Sequence, residues 1–432
     1  MGAYRSTMKK ILVRGPALTR SGYGEHTRFI LRALRQYEDH YDVYLIPVDW
    51  GKTGWIYEAS EEREWIDSLI TKTAHYTHQN DNPKFDVSLQ VTIPNEWQNM
   101  AKINIGVTAG IEATKVAPVW IEKGNEVDRI ITISEFSKYV YQNTYYDLKN
   151  GETGQVIKEG FGCNTPIDVI HYPVRNYEPK EVNLKLDTDF NFLVVAQWSP
   201  RKNLENTISW FVEEFVDQEV GLIIKGNVVN NSLIDRKEMI KRVKLLLDRY
   251  PQRKCKVYVL HGEFSDEEMT FLYNKKEVKA LISIAHGEGF GLPIFEAAYS
   301  AMPVVATNWS GHLDFLCFPV KDKKNKVKNK SHFAKVDFNI GPINKEAVWD
   351  NVLIKESMWA HPEQGSYKMR LREVYKDYGR FESQAKKLQK WISENFVAEE
   401  QYKKVFDSIE STNSDSEQEV NEIYEKLFAE GG

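Results

Sequence analysis

Glu288 and Glu296 stand eight positions apart in HGEGFGLPIFEAAYSAMPVVA (286–306), with Gly289-Phe290-Gly291 after the first and Pro293 between them. The preceding VKALISIA reads as a buried strand, so HGEGFGLP is a strand-to-helix turn and PIFEAAYSA opens a helix. Pro293 suits a first helical turn, where its missing N–H has no intrahelical partner. Glycines at 287, 289 and 291 let backbone N–H groups approach a ligand closely, and the helix N-terminus adds partial positive charge. Together these features suit a phosphate. Glu288 then faces whatever the phosphate carries, and Glu296, about one turn into the helix, can reach the same ligand. A carboxylate accepts well from the paired hydroxyls of a ribose or hexose. The plainer alternative is a helix-capping Glu288 and a solvent-exposed Glu296.

Those motifs resemble the retaining nucleotide-sugar glycosyltransferases of the GT-B fold (glycosyltransferase family 4-like), a group that includes sucrose synthase-like and mannosyltransferase enzymes. Their E-x7-E mark, set in EGFGLPxxEAxxxGxPVVA, stands here as EGFGLPIFEAAYSAMPVVA, departing mainly at Ala301, where glycine is usual. VVAQWSPRKNLE and HGEFSDEEMTFLYNKKEVKALISIAHGEGFG extend the likeness, which covers most of Phe190 to Leu316. The resemblance implies an α/β protein of two Rossmann-like, doubly wound domains facing across a cleft. It implies that Glu288 contacts the donor sugar and Glu296 the ribose. The diphosphate would lie on the backbone of Gly289, Phe290, Gly291 and Leu292, with Lys202 neutralising it as it leaves. The base would lie near His261, Gly262, Glu263 and Phe264. The family's phosphate arginine falls where this chain has Gln197, so either Arg201 reaches the phosphate or one positive charge is missing. In the first half, GPALTRSGYGEHTRFILRAL resembles the family's glycine turn and puts Gly22 and Gly24 near the diphosphate. TAGIEATKVAPVW puts Glu112 at the cleft, as a catalytic candidate or as a structural acceptor for local N–H groups. The donor implied is a UDP- or GDP-sugar, with no cofactor or metal required because fixed positive groups carry the charge work. Leaving-phosphate oxygen would take the acceptor's proton.

The elements that must hold these residues alternate. KILVR (10–14), YDVYLIPV (41–48), KFDVSLQV (84–91), KINIGVTA (102–109), DRIITIS (128–134) and VIHYPV (169–174) read as strands. After a polar connection at 176–189 the pattern restarts with DFNFLVVAQW, GLIIKGN, KVYVLHG, VKALISIA and MPVVATN. Helical patterns between most of these predict parallel sheets in both halves. The expected division is an acceptor domain at 1–178, a nucleotide-sugar donor domain at 179–395 and a helical tail at 396–432 that packs back on the first domain. A chain of 432 residues suits two domains.

A net charge of −5 implies no general attraction to nucleic acid or anionic membrane. Six lysines between Lys321 and Lys330 read first as a solvated, mobile loop and second as a patch for an anionic partner, either DNA or a membrane surface. Three widely spaced cysteines exclude a disulfide framework and fit a reducing cytoplasm, or the host's cytoplasm for a virus-encoded chain. No apolar run approaches the roughly 20 residues of a membrane span. MGAYRS matches a myristoylation pattern, but MKKILVRG from Met8 is an equally good start. His75, His78 and Asp81 lie in a polar loop without a supporting metal ligand, and Asp187-Thr188-Asp189 reads as a linker turn. Two further functions remain open: the same chemistry on hydroxymethylated bases of DNA, and a non-catalytic sugar-nucleotide-binding protein. A dehydrogenase would require a third glycine after Gly22-Tyr23-Gly24.

Overall fold

Aliphatic runs bounded by polar turns assemble two parallel sheets in the computed structural model, which describes residues 8–150, 152–322 and 324–412. The first half contributes β1 (Lys9–Gly15), β2 (Tyr41–Pro47), β3 (Val87–Val91), β4 (Ile103–Thr108) and β5 (Arg129–Thr132). An antiparallel hairpin of β6 (Tyr146–Lys149) and β7 (Val156–Phe161) follows, then β8 (Ile167–Val169). The sheet order is β2-β1-β3-β4-β5-β8, all pairs parallel. The second half contributes β9 (Asn191–Val195), β10 (Gly221–Lys225), β11 (Lys256–Leu260), β12 (Val278–Ser283) and β13 (Val304–Thr307). Two hairpins, β14 (Cys317–Lys321) with β15 (Val327–Ser331) and β17 (Phe338–Pro342) with β18 (Met358–Pro362), flank β16 (Ala334–Val336). This sheet runs β11-β10-β9-β12-β13-β16, again all parallel. Every residue of β3, β4, β10 and β13 is buried, because helices cover both faces.

Strand order reverses between β1 and β3 in one sheet and between β9 and β12 in the other. Loops leaving adjacent strands in opposite directions open a crevice there, the usual ligand position in open α/β sheets. The loop after β9 carries Arg201 and Lys202; the loop after β12 carries Glu288.

Two segments tie the halves together. The arm between β17 and β18 leaves the second domain and buries Ile343 and Val352, with Trp359 of β18, among Trp97, Val116 and Trp120 of the first. Thr114 N donates to Met358 O at 3.1 Å, and Asn95 Nδ2 to Asn351 O at 2.9 Å. The helix Tyr378–Asn395 lies on the second domain, where Gln389 Nε2 donates to Tyr299 O at 3.0 Å. The chain is helical again from 398 to 412 and lies on the first domain. There Phe406 stacks on Tyr37 with ring centroids 4.3 Å apart, and Glu410 accepts from Lys9 and the Tyr41 hydroxyl at 2.6 and 2.8 Å. The rest of the expected tail, 413–432, lies outside the described residues, as does the MGAYRS segment up to residue 6.

Three expectations need correction. His75 and His78 lie not in a loop but in the last turns of the helix Glu61–Gln79, with Asp81 beyond its end. VIHYPV is not a strand over its length: the ladder stops at Val169, and Pro173, which lacks an N–H, sits in the extended stretch beyond. Val174 N instead donates to Phe396 O at 2.9 Å. The lysine run is not a loop but the β14–β15 hairpin, turned through Asp322 and a left-handed Asn325 (φ 58°). Lys323 lies outside the described residues. Among the described residues, no helix is long and apolar enough to cross a membrane.

Candidate functional site

β12 ends at Ser283, and the chain turns through His286–Gly291 into the helix Leu292–Tyr299. Gly291 takes the N-cap position at φ 92°, a conformation that favours glycine, and no side chain caps the helix. The first-turn N–H groups therefore lack a side-chain cap, and a helix N-terminus of this kind suits an anion. Pro293 occupies the first turn. Phe290 turns its ring inward against Phe295, Phe315 and Tyr172, so only its backbone faces the crevice. Leu292 is half-buried at the helix start.

Glu288 is buried, with 5% of its surface exposed. Lys202 Nζ donates to its Oε1 at 2.5 Å and Arg201 Nη1 to its Oε2 at 3.1 Å. Burial opposes ionisation of the carboxyl, but Lys202 and Arg201 overcome it and hold Glu288 down at about 2. Burial lowers the Lys202 ammonium, partly offset by Glu288. Burial also disfavours the Arg201 charge, yet Glu112 and Glu288 outweigh it and raise the guanidinium. Arg201 is thus the hub. Its Nη1 also donates to Gly287 O at 2.7 Å, and its Nη2 lies 3.3 Å from Glu112 Oε1 on the opposite domain. The loop Gly110–Glu112 after β4 brings Glu112 there. Gln197 lies apart, donating to Val228 O at 3.1 Å, so Arg201 is the arginine of this cluster.

The two domains touch directly across this turn. A Cβ on Gly287 would sit 2.6 Å from Glu112 O, and one on Gly289 2.5 Å from Ala109 O. The glycines are small because opposing backbone fills the space. A depression of about 360 Å³ lined by Met369, Arg372, Glu373, Lys376, Asp377 and Arg380 lies away from this crevice and contains none of its residues.

Glu296, half-buried on the helix Leu292–Tyr299, differs from Glu288 in its surroundings. Tyr273 Oη donates to its Oε2 at 2.8 Å, and no cation pairs with it among the described residues. Burial pushes Glu296 up to about 7, with the Tyr273 hydrogen bond opposing. Across the crevice the helix Gly22–Gln36 starts at Ser21, whose Oγ accepts from Gly24 N at 2.9 Å. The Gly24 amide is therefore spent on the cap, and a Cβ there would sit 2.1 Å from Thr19 O. Gly22 is exposed, with open space where a Cβ would stand. Gly262 and Phe264 follow β11; Gly262 (φ 114°) also faces open space. His261 is withdrawn from it, pairing through Nε2 with Asp235 Oδ1 at 2.8 Å.

Three contributors escape the sequence patterns. Ser310 Oγ accepts from Glu288 N at 2.9 Å and sets the turn. His312 is buried beside Gly291 and donates through Nε2 to Thr307 O at 2.7 Å, leaving Nδ1 without a hydrogen bond. Lys225, at the end of β10, is 9% exposed. Nothing in SGHLDF or GLIIKGN marks these residues, although a lysine closing an aliphatic strand is itself unusual. Among the described residues no group of three or more His, Cys, Asp or Glu could hold a metal ion.

Residues 177–327 match the family model described as Glycosyl transferases group 1. Over 118 residues the chain is 32% identical to the serotype-specific mannosyltransferase WbdA of Escherichia coli, a span of 27% of this chain and 13% of that protein. Among solved structures, HepE of Anabaena in complex with UDP and glucose aligns over 93% of this chain and all of its own, at 12% identity and a TM-score of 0.56. Sucrose-phosphate synthase of Thermosynechococcus elongatus aligns over 98% and 99%, at 13% identity and 0.57. A glycosyltransferase of Rickettsia africae aligns over 94% and 99%, also at 13% and 0.57. At these identities the likeness is one of fold, and the fold is GT-B.

Proposed function

We propose that the crevice takes a nucleotide-diphosphate-sugar and transfers its sugar, with retention and without a metal ion, to an acceptor hydroxyl. The observation that carries this reading is the meeting of Lys202, Arg201 and Glu288 at an uncapped helix N-terminus on a strand-order reversal. The glycosyl transferases group 1 match over 177–327 and the mannosyltransferase relative support it. HepE, of the same fold, holds UDP and glucose.

In this reading the diphosphate lies on the N–H groups of Gly289 to Leu292 and draws Lys202 and Arg201 toward itself. Glu288, released from part of its ion pairing, accepts from the donor sugar's hydroxyls, and Glu296 accepts from the ribose. The bond from the anomeric carbon to the phosphate oxygen then breaks, leaving an oxocarbenium-like centre. Lys202 and the helix N-terminus stabilise the negative charge on the departing diphosphate. The acceptor oxygen bonds to the anomeric carbon from the same face, and its proton passes to a leaving-phosphate oxygen. Glu112, joined to Arg201 across the crevice, positions that cation and borders the acceptor side. Because Gly287 and Gly289 contact the first domain directly, the domains must part to admit the donor.

The test is sugar release or transfer from UDP-, GDP- and ADP-sugars by the full chain. Lys202→Ala and Glu288→Gln should each lower kcat by about a hundredfold, the scale of losing one electrostatic stabiliser, while nucleotide binding and the far-UV spectrum persist. Near-normal turnover in both variants would falsify the assignment. Tight nucleotide-sugar binding with no turnover in the wild type would favour a non-catalytic binding protein.

A further inference from the structure

Apolar side chains stand exposed at one end of the crevice, on both domains. β2 and β11 are edge strands of the two sheets, and the loops that follow them meet. A Cβ on Gly54 would lie 3.2 Å from Glu263 Oε1 and 3.9 Å from Asn231 Nδ2, and Arg20 Nε reaches Glu263 Oε2 at 3.4 Å. The first-domain loop exposes Trp55 and Tyr57, the latter by 81%. Beside Asn231 the second domain exposes Val229, Leu233 and Ile234, the last two by 75% and 81%. Exposed aliphatics and rings gathered in this way mark an interaction surface.

The helix Leu233–Leu247 continues that surface. It buries Asp235, Met239, Val243 and Leu247, one residue in four. By helical periodicity the opposite face presents Ile234, Lys237, Lys241, Lys244 and Leu245, all exposed, with Asp248 closing it at the C-cap. The helix's own carboxylates are otherwise engaged. Asp235 accepts from the N–H groups of Val228, Val229 and Asn230 and from His261, and Glu238 pairs with Arg242 at 2.9 Å. Among the described residues, Arg236, Lys237, Lys241 and Lys244 have no carboxylate within ion-pair distance.

We propose that this surface docks the protein on an anionic lipid bilayer, with Leu233, Ile234, Trp55 and Tyr57 entering the headgroup layer and the helix's lysines meeting lipid phosphates. Aliphatic tips beside cations on long stems suit a bilayer, because the tips go in while the ammonium groups stay among the headgroups. Trp and Tyr favour the same layer. A second copy related by a two-fold axis through this helix would set Lys237, Lys241 and Lys244 against their own counterparts, like charge on like. Nucleic acid would pair with the cations but leave the aliphatics in water. The net charge of −5 does not oppose docking: the attraction is local, and acids elsewhere turn the remaining surface away and so orient the molecule. Docked in this way, one end of the crevice lies at the bilayer surface.

Co-sedimentation of the full chain with vesicles tests this, using phosphatidylcholine alone and an equal mixture with phosphatidylglycerol. The wild type should sediment with the mixed vesicles and be released by added salt. Three double variants should each bind them at least about tenfold more weakly: Leu233→Ser with Ile234→Ser, Lys237→Glu with Lys241→Glu, and Trp55→Ser with Tyr57→Ser. Lys328→Glu with Lys330→Glu, on the β14–β15 hairpin, should bind as the wild type does. Thermal midpoints should match the wild type's throughout, because all these side chains are exposed. A wild type that stays in solution with the mixed vesicles, or binds both kinds equally, overturns the proposal. So does a loss of binding confined to the hairpin variant, which would move the attraction there. A concentration-dependent dimer in sedimentation velocity that Leu233→Ser with Ile234→Ser abolishes would also overturn it, assigning the face to a second copy.

Discussion

Two cations lie within 3.1 Å of the Glu288 carboxylate, whereas Glu296, on the same segment, has among the described residues only the Tyr273 hydroxyl. The consequence is a split in charge state: Glu288 is held ionised with its affinity down at about 2, and Glu296 is raised from 4.5 to about 7. For Glu296 the folded chain holds its proton more tightly than the unfolded chain. Its contribution is therefore harmless below about pH 4.5, grows more destabilising as pH rises through 7, and then levels off. Replacing it by glutamine, which can still accept from Tyr273, should raise stability by about 2–3 kcal/mol at pH 8 and change little at pH 4. The measurement is the difference in melting temperature between Glu296→Gln and wild type across that range; a difference independent of pH would refute the argument. Residues set in a motif were legible in the sequence, because Glu288, Glu296 and Lys202 each stand at a fixed offset from a turn. Lys225 was not, because a strand's aliphatic pattern says nothing of how deep its last residue lies. The roles of Gly22 and Gly24 were not separable either: only coordinates show one in open space and the other spent on a cap.

The helix Leu292–Tyr299 joins β13 through Ser300, Ala301 and Met302, and Ala301 takes the left-handed conformation at φ 58°. This is the position where the resembled motif has glycine, and the geometry supplies the reason. An L-residue there carries a strain of about 1–2 kcal/mol that glycine avoids, partly offset by glycine's greater freedom when unfolded. Ala301→Gly should therefore raise the unfolding free energy by about 1 kcal/mol in chemical denaturation. A loss of stability would mean that the alanine methyl is packed to advantage. Long aliphatic strands such as VKALISIA were readable because a buried parallel strand is apolar on both faces. The three hairpins were not, since VKNKS and YDLK show burial no deeper than intermediate. Their pairing depends on turn conformation more than on an apolar signature.

At the scale of the whole molecule the first domain is completed from elsewhere. In the 398–412 helix, Val405 and Ile409 are 1% and 0% exposed, packed with the first-domain core around Phe29 and Leu34. Truncating Ile409 to alanine should cost about 2–4 kcal/mol, a large share of the 5–15 kcal/mol typical of a domain. Hydrogen exchange resolves where the loss falls: protection should drop in the helix Gly22–Gln36 and in β2, and remain in β9 to β13. Equal loss in both halves would contradict the packing described. The alternation of strands and helices made two domains readable, and a tail returning to the first was expected, but which residues it would meet there was not readable, because long-range contacts leave no local periodicity. The β17–β18 arm makes the same point from the other side, placing Ile343, Val352 and Trp359 against Trp97 and Trp120.

During synthesis, then, the amino-terminal sheet leaves the ribosome with its apolar flank still uncovered. Chains generally fold domain by domain as they emerge, but here the flank around Trp97 and Trp120 is sealed only after residues 343–359 appear, and that around Tyr37 only after residue 406. For the time taken to translate more than half of the polypeptide, the nascent protein exposes a sticky surface that a chaperone has reason to cover.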